Sequence, residues 1–276
     1  MTTISVGSEN EQPVELYFED HGTGKPIILI HGYPLSGASW EKQTAALLAA
    51  GHRVITYDRR GFGKSSQPSI GYDYDTFATD LNVLVKHLNL RDFALVGFSM
   101  GGGEVARYLG KYGTHGVRAA VFVSSVPPYL LKADDNPEGI DGSVFAGIKA
   151  AVIADRPAFL TNFLQNFYNV DVLKGTRISD EAIRASWIVA VGASNKATID
   201  CVDTWGTDFR DDLAAIDIPT LIIHGDADRI VPLPASGQRT HTAVKNSKMV
   251  VVEGAPHGLL WTHPEIVNAE LITFLK

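Results

Sequence analysis

The stretch Phe93–Tyr108 constrains the fold of this chain more than any other. It begins with a short apolar run, continues as Gly-Phe-Ser-Met-Gly and then takes on the spacing of an amphipathic helix. A strand, a tight turn and a helix are therefore predicted, with Ser99 at the turn. Glycines at 97 and 101 fit this prediction because side chains there would crowd the turn. The helix N-terminus behind Ser99 would offer free N–H groups to a developing oxyanion.

The pattern Gly-x-Ser-x-Gly is typical of a nucleophile elbow, in which a strained turn lifts the serine above the edge of a sheet. Five letters are a weak signal in a chain with 26 glycines, and they also fit a purely structural turn. The functional interpretation therefore depends on whether the chain supplies a base, an acid and oxyanion donors in suitable places.

Composition narrows the class of protein. With 276 residues and 45% hydrophobic content, the chain can build one sizeable core with an insertion. A net charge of −7 without a basic cluster argues against binding to nucleic acid or anionic membranes. The single cysteine excludes an intrachain disulfide. Neither a signal peptide nor an apolar run of about 20 residues is evident, so a soluble cytoplasmic protein is expected.

Strand and helix patterns alternate along most of the chain. The predicted strands span residues 14–19, 26–32, 53–58, 93–97, 117–124, 218–225 and 248–253. Helices are predicted near 40–50, 76–88, 100–109, 234–244 and 264–275. This order predicts an α/β fold with a mostly parallel sheet flanked by helices on both faces. Ligands in such folds bind at the carboxyl ends of the strands.

The alternation stops between residues 129 and 206, where no buried strand is evident and aromatic residues lie among helical patches. The segment fits a small helical subdomain, and its place between two core strands favours a cap over the site. We therefore predict a core formed by residues 1–128 and 207–276, with a helical cap formed by residues 129–206.

A serine nucleophile needs a base, and nine histidines are candidates. His257 is preferred because it follows the last strand, on a loop over the strand ends. His31 also ends a strand, but it lies beside the glycine of a candidate oxyanion loop. His224 falls inside a strand pattern and is interpreted as a core or supporting residue.

The base in turn needs an acid, and Asp226 and Asp228 follow the strand at 218–225. Asp226 comes directly after a glycine and is expected to accept hydrogen bonds from turn amides. Asp228 lies further out on the loop and is preferred. The predicted oxyanion donors are the backbone N–H groups of Met100 and of Tyr33, which follows the strand at 26–32.

These motifs resemble the α/β-hydrolase superfamily, whose members share the chain order serine, acid, histidine. More narrowly, the chain resembles the bacterial cofactor-free haloperoxidase group, which also contains esterases, perhydrolases and γ-lactamases. The narrower likeness rests on His31–Trp40, Tyr57–Ser65, Gly97–Arg107 and His224–Pro232. The resemblance implies the same catalytic residues (Ser99, Asp228 and His257), the same oxyanion donors (Tyr33 and Met100), a small acyl substrate and a homo-oligomer.

Many relatives in this group carry Phe where this chain has Tyr33, whereas γ-lactamase members are similar to it in having Tyr. The backbone donor survives that change, and the side chain would add a hydroxyl to the pocket. Phe145, Trp187 and Ile230 are the other candidate substrate contacts.

The sequence thus predicts a serine hydrolase that transfers acyl groups from small esters, with no metal or other cofactor. The resemblance adds peroxide as an alternative acceptor, since the peracid formed would oxidise halide. Hydrolysis of a γ-lactam by the same residues is the nearest alternative. Haloalkane dehalogenases and epoxide hydrolases have aspartate in place of Ser99. A non-catalytic ligand receptor on this fold would lack a member of the triad.

Overall fold

The computed structural model describes residues 2–276 and contains one eight-stranded sheet. Its strands are β1 (Thr3–Glu9), β2 (Gln12–His21), β3 (Pro26–Ile30), β4 (Arg53–Tyr57), β5 (Phe93–Phe98), β6 (Val117–Val123), β7 (Thr220–Gly225) and β8 (Ser247–Val252). They lie in the order β1-β2-β4-β3-β5-β6-β7-β8, and the β1–β2 and β2–β4 pairs are antiparallel. All other pairs are parallel, so the predicted α/β fold with a mostly parallel sheet is confirmed.

Helices connect the strands and flank the sheet. They are α1 (Glu41–Ala49), α2 (Tyr74–His87), α3 (Met100–Tyr112), α4 (Gly142–Phe167), α5 (Val170–Leu173), α6 (Asp180–Val191), α7 (Asn195–Thr204), α8 (Arg210–Ala214), α9 (Gly237–Ala243), α10 (Leu259–Thr262) and α11 (Pro264–Phe274). One group consists of α1, α10 and α11, and another of α2, α3, α8 and α9. Across residues 2–276, no helix combines the length and apolarity that crossing a membrane requires.

The sequence predicted seven of these eight strands and missed β1. In β1 only Ile4 is buried, so the strand carries almost no hydrophobic pattern. It forms one edge of the sheet by pairing with β2, and this pairing is a tertiary contact that local periodicity does not report.

The centre of the sheet positions the site. The strands β3, β5, β6 and β7 are adjacent, parallel and almost fully buried. Their carboxyl ends therefore lie side by side at one edge, and the loops that follow them meet there. His31 follows β3, Ser99 follows β5 and Asp226 follows β7, as the sequence predicted.

Four helices, α4 to α7, occupy the segment that the sequence predicted as a cap. The longest, α4, is broken at Asp155, whose backbone leaves helical geometry at φ −157° and ψ 87°. Pro157 explains the break because it lacks an N–H and its ring crowds the preceding turn. The Asp155 carboxylate then accepts a hydrogen bond from the N–H of Ala158 at 3.0 Å and caps the second half of the helix.

The turn between β5 and α3 depends on close backbone approaches. A Cβ at Gly97 would lie 2.4 Å from the carbonyl oxygen of Gly101. A Cβ at Gly101 would lie 2.3 Å from the carbonyl oxygen of Ile30, at the end of β3. Both neighbours are backbone atoms and cannot rotate away, so these two glycines are required by packing.

We expect Gly101→Ala to lower the free energy of unfolding by about 1–3 kcal/mol, because the methyl group must push β3 and α3 apart. Urea denaturation followed by circular dichroism would measure the change. Gly147→Ala is the matched control, since Gly147 is exposed on α4 and a Cβ there meets no atom within 4 Å. That control should raise stability by about 0.5–1 kcal/mol through helix propensity. Equal stabilities for the two variants would contradict the packing argument.

Candidate active site

Ser99 lies at the junction of β5 and α3 with a strained backbone, at φ 55° and ψ −120°. Such a conformation costs about 1–3 kcal/mol for a residue other than glycine and persists only where its surroundings enforce it. Three backbone hydrogen bonds hold it: Ser99 N–H donates to the Val123 carbonyl at 2.9 Å, and the Ser99 carbonyl accepts from the N–H groups of Gly102 at 3.0 Å and Val126 at 3.3 Å. The strain directs the hydroxyl out of the turn, toward the loops above the sheet.

A continuous chain of hydrogen bonds links Ser99 to His257 and Asp228. His257 Nε2 is 2.9 Å from Ser99 Oγ, and His257 Nδ1 is 2.7 Å from Asp228 Oδ2. A carboxylate can only accept, so Nδ1 carries the proton and Nε2 is free to accept the serine proton. The structure thus brings together the three residues that the sequence singled out from three separate loops.

The imidazole of His257 is completely buried. The rings of Phe98 and Phe167 pack against it, each with its centroid 5.1 Å from that of His257. These apolar rings fix the orientation of the imidazole and keep water away from its faces. Electrostatic interactions along the chain from Ser99 to Asp228 are therefore less screened than they would be in bulk water.

Every carboxylate oxygen of Asp228 is engaged. Oδ1 accepts from the N–H groups of Ile230 and Val231, both at 2.8 Å. Oδ2 faces His257, and His224 Nε2 lies 3.3 Å from the same oxygen. Burial alone would raise the pKa of Asp228, but the two histidines outweigh it and lower the pKa below its ordinary value. Asp228 therefore remains ionised at neutral pH.

Asp226, the competing candidate acid, has a different role. Its Oδ1 accepts a hydrogen bond from the N–H of Gly254 at 2.7 Å. This contact ties the loop after β7 to the turn after β8, and His257 is not among its partners. Asp226 thus bonds a turn amide, as the sequence suggested.

The predicted oxyanion donors belong to two segments that meet at the nucleophile. Met100 follows Ser99 at the start of α3, and Tyr33 belongs to the loop after β3. That loop lies against the nucleophile, because a Cβ at Gly32 would be only 2.8 Å from Ser99 Cβ. Within the described chain, the backbone N–H groups of Tyr33 and Met100 make no hydrogen bond to protein. Both are therefore available to a ligand, and their role as oxyanion donors stays a prediction.

A buried polar cluster beneath this loop was not predicted from the sequence. His31 Nδ1 donates to the Gly32 carbonyl, and His31 Nε2 accepts from Arg59 N–H, both at 2.9 Å. Burial and the charge of Arg59 lower the pKa of His31 well below its ordinary value, so the ring stays neutral. The Arg59 side chain also donates to the His31 carbonyl at 2.9 Å and to Glu104 at 2.7 Å. The cluster fixes the candidate oxyanion loop in place.

A cavity of about 500 Å³ opens onto Ser99. Its walls are mostly apolar and include Tyr33, Val126, Leu130, Ile140, Val144, Phe145, Ile148, Phe159, Phe163, Trp205, Ile230 and Val231. Its remaining polar side chains are Asn162, Asn166 and Arg229. Asn162 and Asn166 are exposed, and Arg229 is paired with Asp171 at 2.7 Å. The polar groups therefore belong to the outer part of the cavity.

Three of the four candidate substrate contacts, Tyr33, Phe145 and Ile230, line this cavity. Trp187 does not, and this part of the sequence prediction is corrected. Trp187 lies on α6 at a separate surface hollow, where its Nε1 donates to the Pro157 carbonyl at 3.3 Å. The hydroxyl of Tyr33 is also not free for a substrate, because it donates to the Thr198 carbonyl at 3.0 Å.

Comparison with known proteins gives the same fold. The family profile described as "alpha/beta hydrolase fold" matches residues 25–264. A protein of Synechocystis sp. whose name proposes a non-heme chloroperoxidase is 60% identical, with all of both chains covered. A bifunctional esterase/perhydrolase of Acinetobacter calcoaceticus is 34% identical, with 95% of this chain and 96% of that protein covered. The crystal structure of a bromoperoxidase from Bacillus anthracis matches with a TM-score of 0.95 and 51% identity, covering 99% of each chain.

The choice between the two acids is testable. We expect Asp228→Asn to lower kcat for ester hydrolysis by about 10²–10⁴-fold, because the amide no longer fixes the tautomer of His257 or stabilises its charged form. Asp226→Asn, the matched control, should change kcat by less than about twofold, since it perturbs only a turn contact. Steady-state kinetics on an activated ester would measure both. A large loss in Asp226→Asn with normal turnover in Asp228→Asn would reverse the assignment.

Proposed function

The chain belongs to the α/β-hydrolase family, and we propose that it is a serine hydrolase that transfers acyl groups from small esters to water and to hydrogen peroxide. The observation that carries the proposal is the chain of hydrogen bonds from Asp228 through His257 to Ser99, which ends at an apolar cavity. The esterase and haloperoxidase names of its relatives support the same reaction class.

In the first half of the reaction, Ser99 Oγ bonds to the ester carbonyl carbon while its proton moves to His257 Nε2. The carbonyl electron pair moves onto oxygen, and the N–H groups of Tyr33 and Met100 donate to that oxyanion. Asp228 stabilises the imidazolium that forms. His257 then protonates the alcohol oxygen as the carbon–oxygen bond breaks, and an acyl group remains on Ser99.

In the second half, a small nucleophile attacks the acyl group. His257 takes a proton from water, the carbon–Ser99 bond breaks, and the carboxylic acid leaves after Ser99 regains its proton. Hydrogen peroxide in place of water gives a peracid by the same steps. The peracid then transfers one oxygen to a halide ion in solution and reverts to the acid. The released acid can acylate Ser99 again, with its hydroxyl oxygen protonated by His257 and leaving as water, so halide oxidation needs only peroxide and a carboxylic acid as co-reactants.

The cavity walls favour a neutral acyl group. A charged carboxylate or ammonium buried among the aromatic and aliphatic walls would lose its hydration without gaining a partner. Arg229 does not change this, because its guanidinium is already paired with Asp171. We therefore infer that the substrates are esters of short, uncharged acids.

Hydrolysis of a γ-lactam is not part of the proposal. The tyrosine hydroxyl that favoured it in the sequence is bound to the Thr198 carbonyl and does not serve as a free group in the pocket. The names of the three relatives given above do not include a lactamase.

The nucleophile can be tested directly. We expect Ser99→Ala to lower ester turnover by at least about 10³-fold, because the remaining groups cannot form an acyl-enzyme. Halide oxidation in the presence of peroxide and a short carboxylic acid should disappear with it. Intact-protein mass after treatment with a fluorophosphonate should show one adduct on the wild-type protein, mapping to Ser99, and none on the variant.

Ser124→Ala is the matched control. Ser124 follows the neighbouring strand β6, is buried, and its hydroxyl has no hydrogen-bond partner among the described residues. This variant should keep wild-type turnover and the adduct. Wild-type turnover in Ser99→Ala would contradict the proposal, as would an adduct elsewhere on a folded, active protein.

The substrate pocket gives a further prediction. Phe145→Ala should remove an aromatic wall of the cavity and raise the kcat/KM ratio of octanoyl over acetyl esters by about 3–10-fold, in keeping with small free energies per methylene. Trp187→Ala removes an aromatic ring of the same segment outside the cavity and should leave that ratio unchanged. The p-nitrophenyl ester series measures both, and a changed ratio in Trp187→Ala alone would refute the assignment of the pocket.

A further inference from the structure

A second buried histidine contacts the candidate acid. His224, the fifth residue of β7, is completely inaccessible to solvent. Its Nε2 is 2.8 Å from the carbonyl oxygen of Val231 and 3.3 Å from Asp228 Oδ2. The carbonyl can only accept, so Nε2 carries a proton. The N–H of His224 thus donates mainly to Val231, and Asp228 is a second, longer acceptor.

The ring of His224 is held in place by close packing. A Cβ at Gly237, the first residue of α9, would lie 2.6 Å from His224 Nδ1. This glycine allows the helix to approach the ring face to within contact distance. Nδ1 itself has no hydrogen-bond partner among residues 2–276. All hydrogen bonding by this ring is therefore directed at the 228–231 turn.

His224 acts on Asp228 in two ways. The N–H of Val231 donates to Asp228 Oδ1 while the carbonyl of Val231 accepts from His224, so the ring fixes the turn that wraps the carboxylate. The direct contact also restrains Oδ2, the oxygen that faces His257. His257 exchanges a proton with Ser99 in each proposed cycle, whereas His224 has no reacting partner. The contacts of His224 with Val231 and Asp228 therefore need not change during the proposed cycle.

We propose that His224 is a positioning residue that sets the orientation and the hydrogen-bonding strength of Asp228 toward His257. This proposal rests on the proposed function, because it assigns His224 a role in the same reaction. The role differs from a purely structural one, since it predicts an effect on chemistry that the loss of packing alone would not produce.

The expected sign follows from the hydrogen bonds. The titratable side chains bonded to Asp228 in the described chain are His257 and His224, while the adjacent Arg229 is paired with Asp171. Without the N–H of His224, Asp228 Oδ2 interacts more strongly with His257. The stronger interaction stabilises the protonated form of the His257 imidazole. Activity is lost at low pH when His257 is protonated. The acidic limb of the pH–rate profile should therefore move to higher pH.

The experiment compares His224→Leu with His224→Gln on p-nitrophenyl acetate. Leucine fills the space without a donor, whereas the amide of glutamine can donate near the position of Nε2. We expect His224→Leu to lower kcat about tenfold, equivalent to about 1.4 kcal/mol, because the Asp228 carboxylate and its turn lose the contacts that orient them toward His257; KM should not change. The midpoint of the acidic limb of its kcat/KM profile should move to higher pH by about half a pH unit. His224→Gln should recover kcat to within about threefold of wild type and restore the limb.

Controls separate this role from general stability. His52 is another buried histidine, and it directly precedes β4, at the amino ends of the parallel strands and away from the site. His52→Gln should therefore leave the pH profile unchanged. Should His224→Leu fail to fold by circular dichroism, Gly237→Ala replaces it, because its methyl group would displace the same ring without removing it. Gly237→Ala should show the same loss and the same shift.

Two results would overturn the proposal. One is a folded His224→Leu, or Gly237→Ala in its place, with wild-type kcat and pH profile. The other is His224→Gln as impaired as His224→Leu. The failure of the proposed function is distinguishable, because wild-type protein would then show neither ester turnover nor a fluorophosphonate adduct on Ser99.

Discussion

The close approach of backbone segments around Ser99 is the constraint on which the rest of the structure depends. Gly97 and Gly101 bring the start of α3 against the ends of β5 and β3, and Gly32 brings the next loop against the nucleophile. This contact fixes the strained serine and brings the loop that carries Tyr33 against the nucleophile. A bulkier residue at any of these glycines would separate the groups that must act together, since a displacement of about 1 Å already weakens catalysis.

A buried ion pair supports that arrangement from below. Arg59 and Glu104 are both inaccessible to solvent, and Glu104 also accepts a hydrogen bond from Tyr57. Such a pair contributes little net stability because both charges lose their hydration. The pair instead orients the Arg59 side chain, which donates to the His31 carbonyl. The backbone N–H of Arg59 donates to Nε2 of the His31 ring. Two separate parts of the chain, the segment after β4 and helix α3, thereby hold the loop that carries the candidate oxyanion donor.

The sequence predicted the chemistry better than the pocket. Ser99, Asp228 and His257 follow β5, β7 and β8, which are parallel strands of one sheet. The carboxyl ends of such strands lie at the same side of the sheet, so local patterns place the three residues near one another. Whether Trp187 lines the cavity depends on which face of α6 points toward it. Helical periodicity does not distinguish a face that packs on neighbouring helices from one that lines a cavity. The partner of the Tyr33 hydroxyl lies 165 residues away, at Thr198, beyond the reach of any local pattern.

The break in α4 at Asp155 gives its two halves different contacts with the site. The first half carries Phe145, which lines the cavity. The second half is anchored to the base through Phe167, whose ring packs on His257 and whose carbonyl accepts from the N–H of Gly258 at 2.8 Å. Mutations around Phe145 in the first half can therefore reshape the cavity while Phe167 keeps the imidazole of His257 in place. Phe159 and Phe163 of the second half also line the cavity, so the bend frees only the part of the wall around Phe145 to vary without moving the ring that packs on His257.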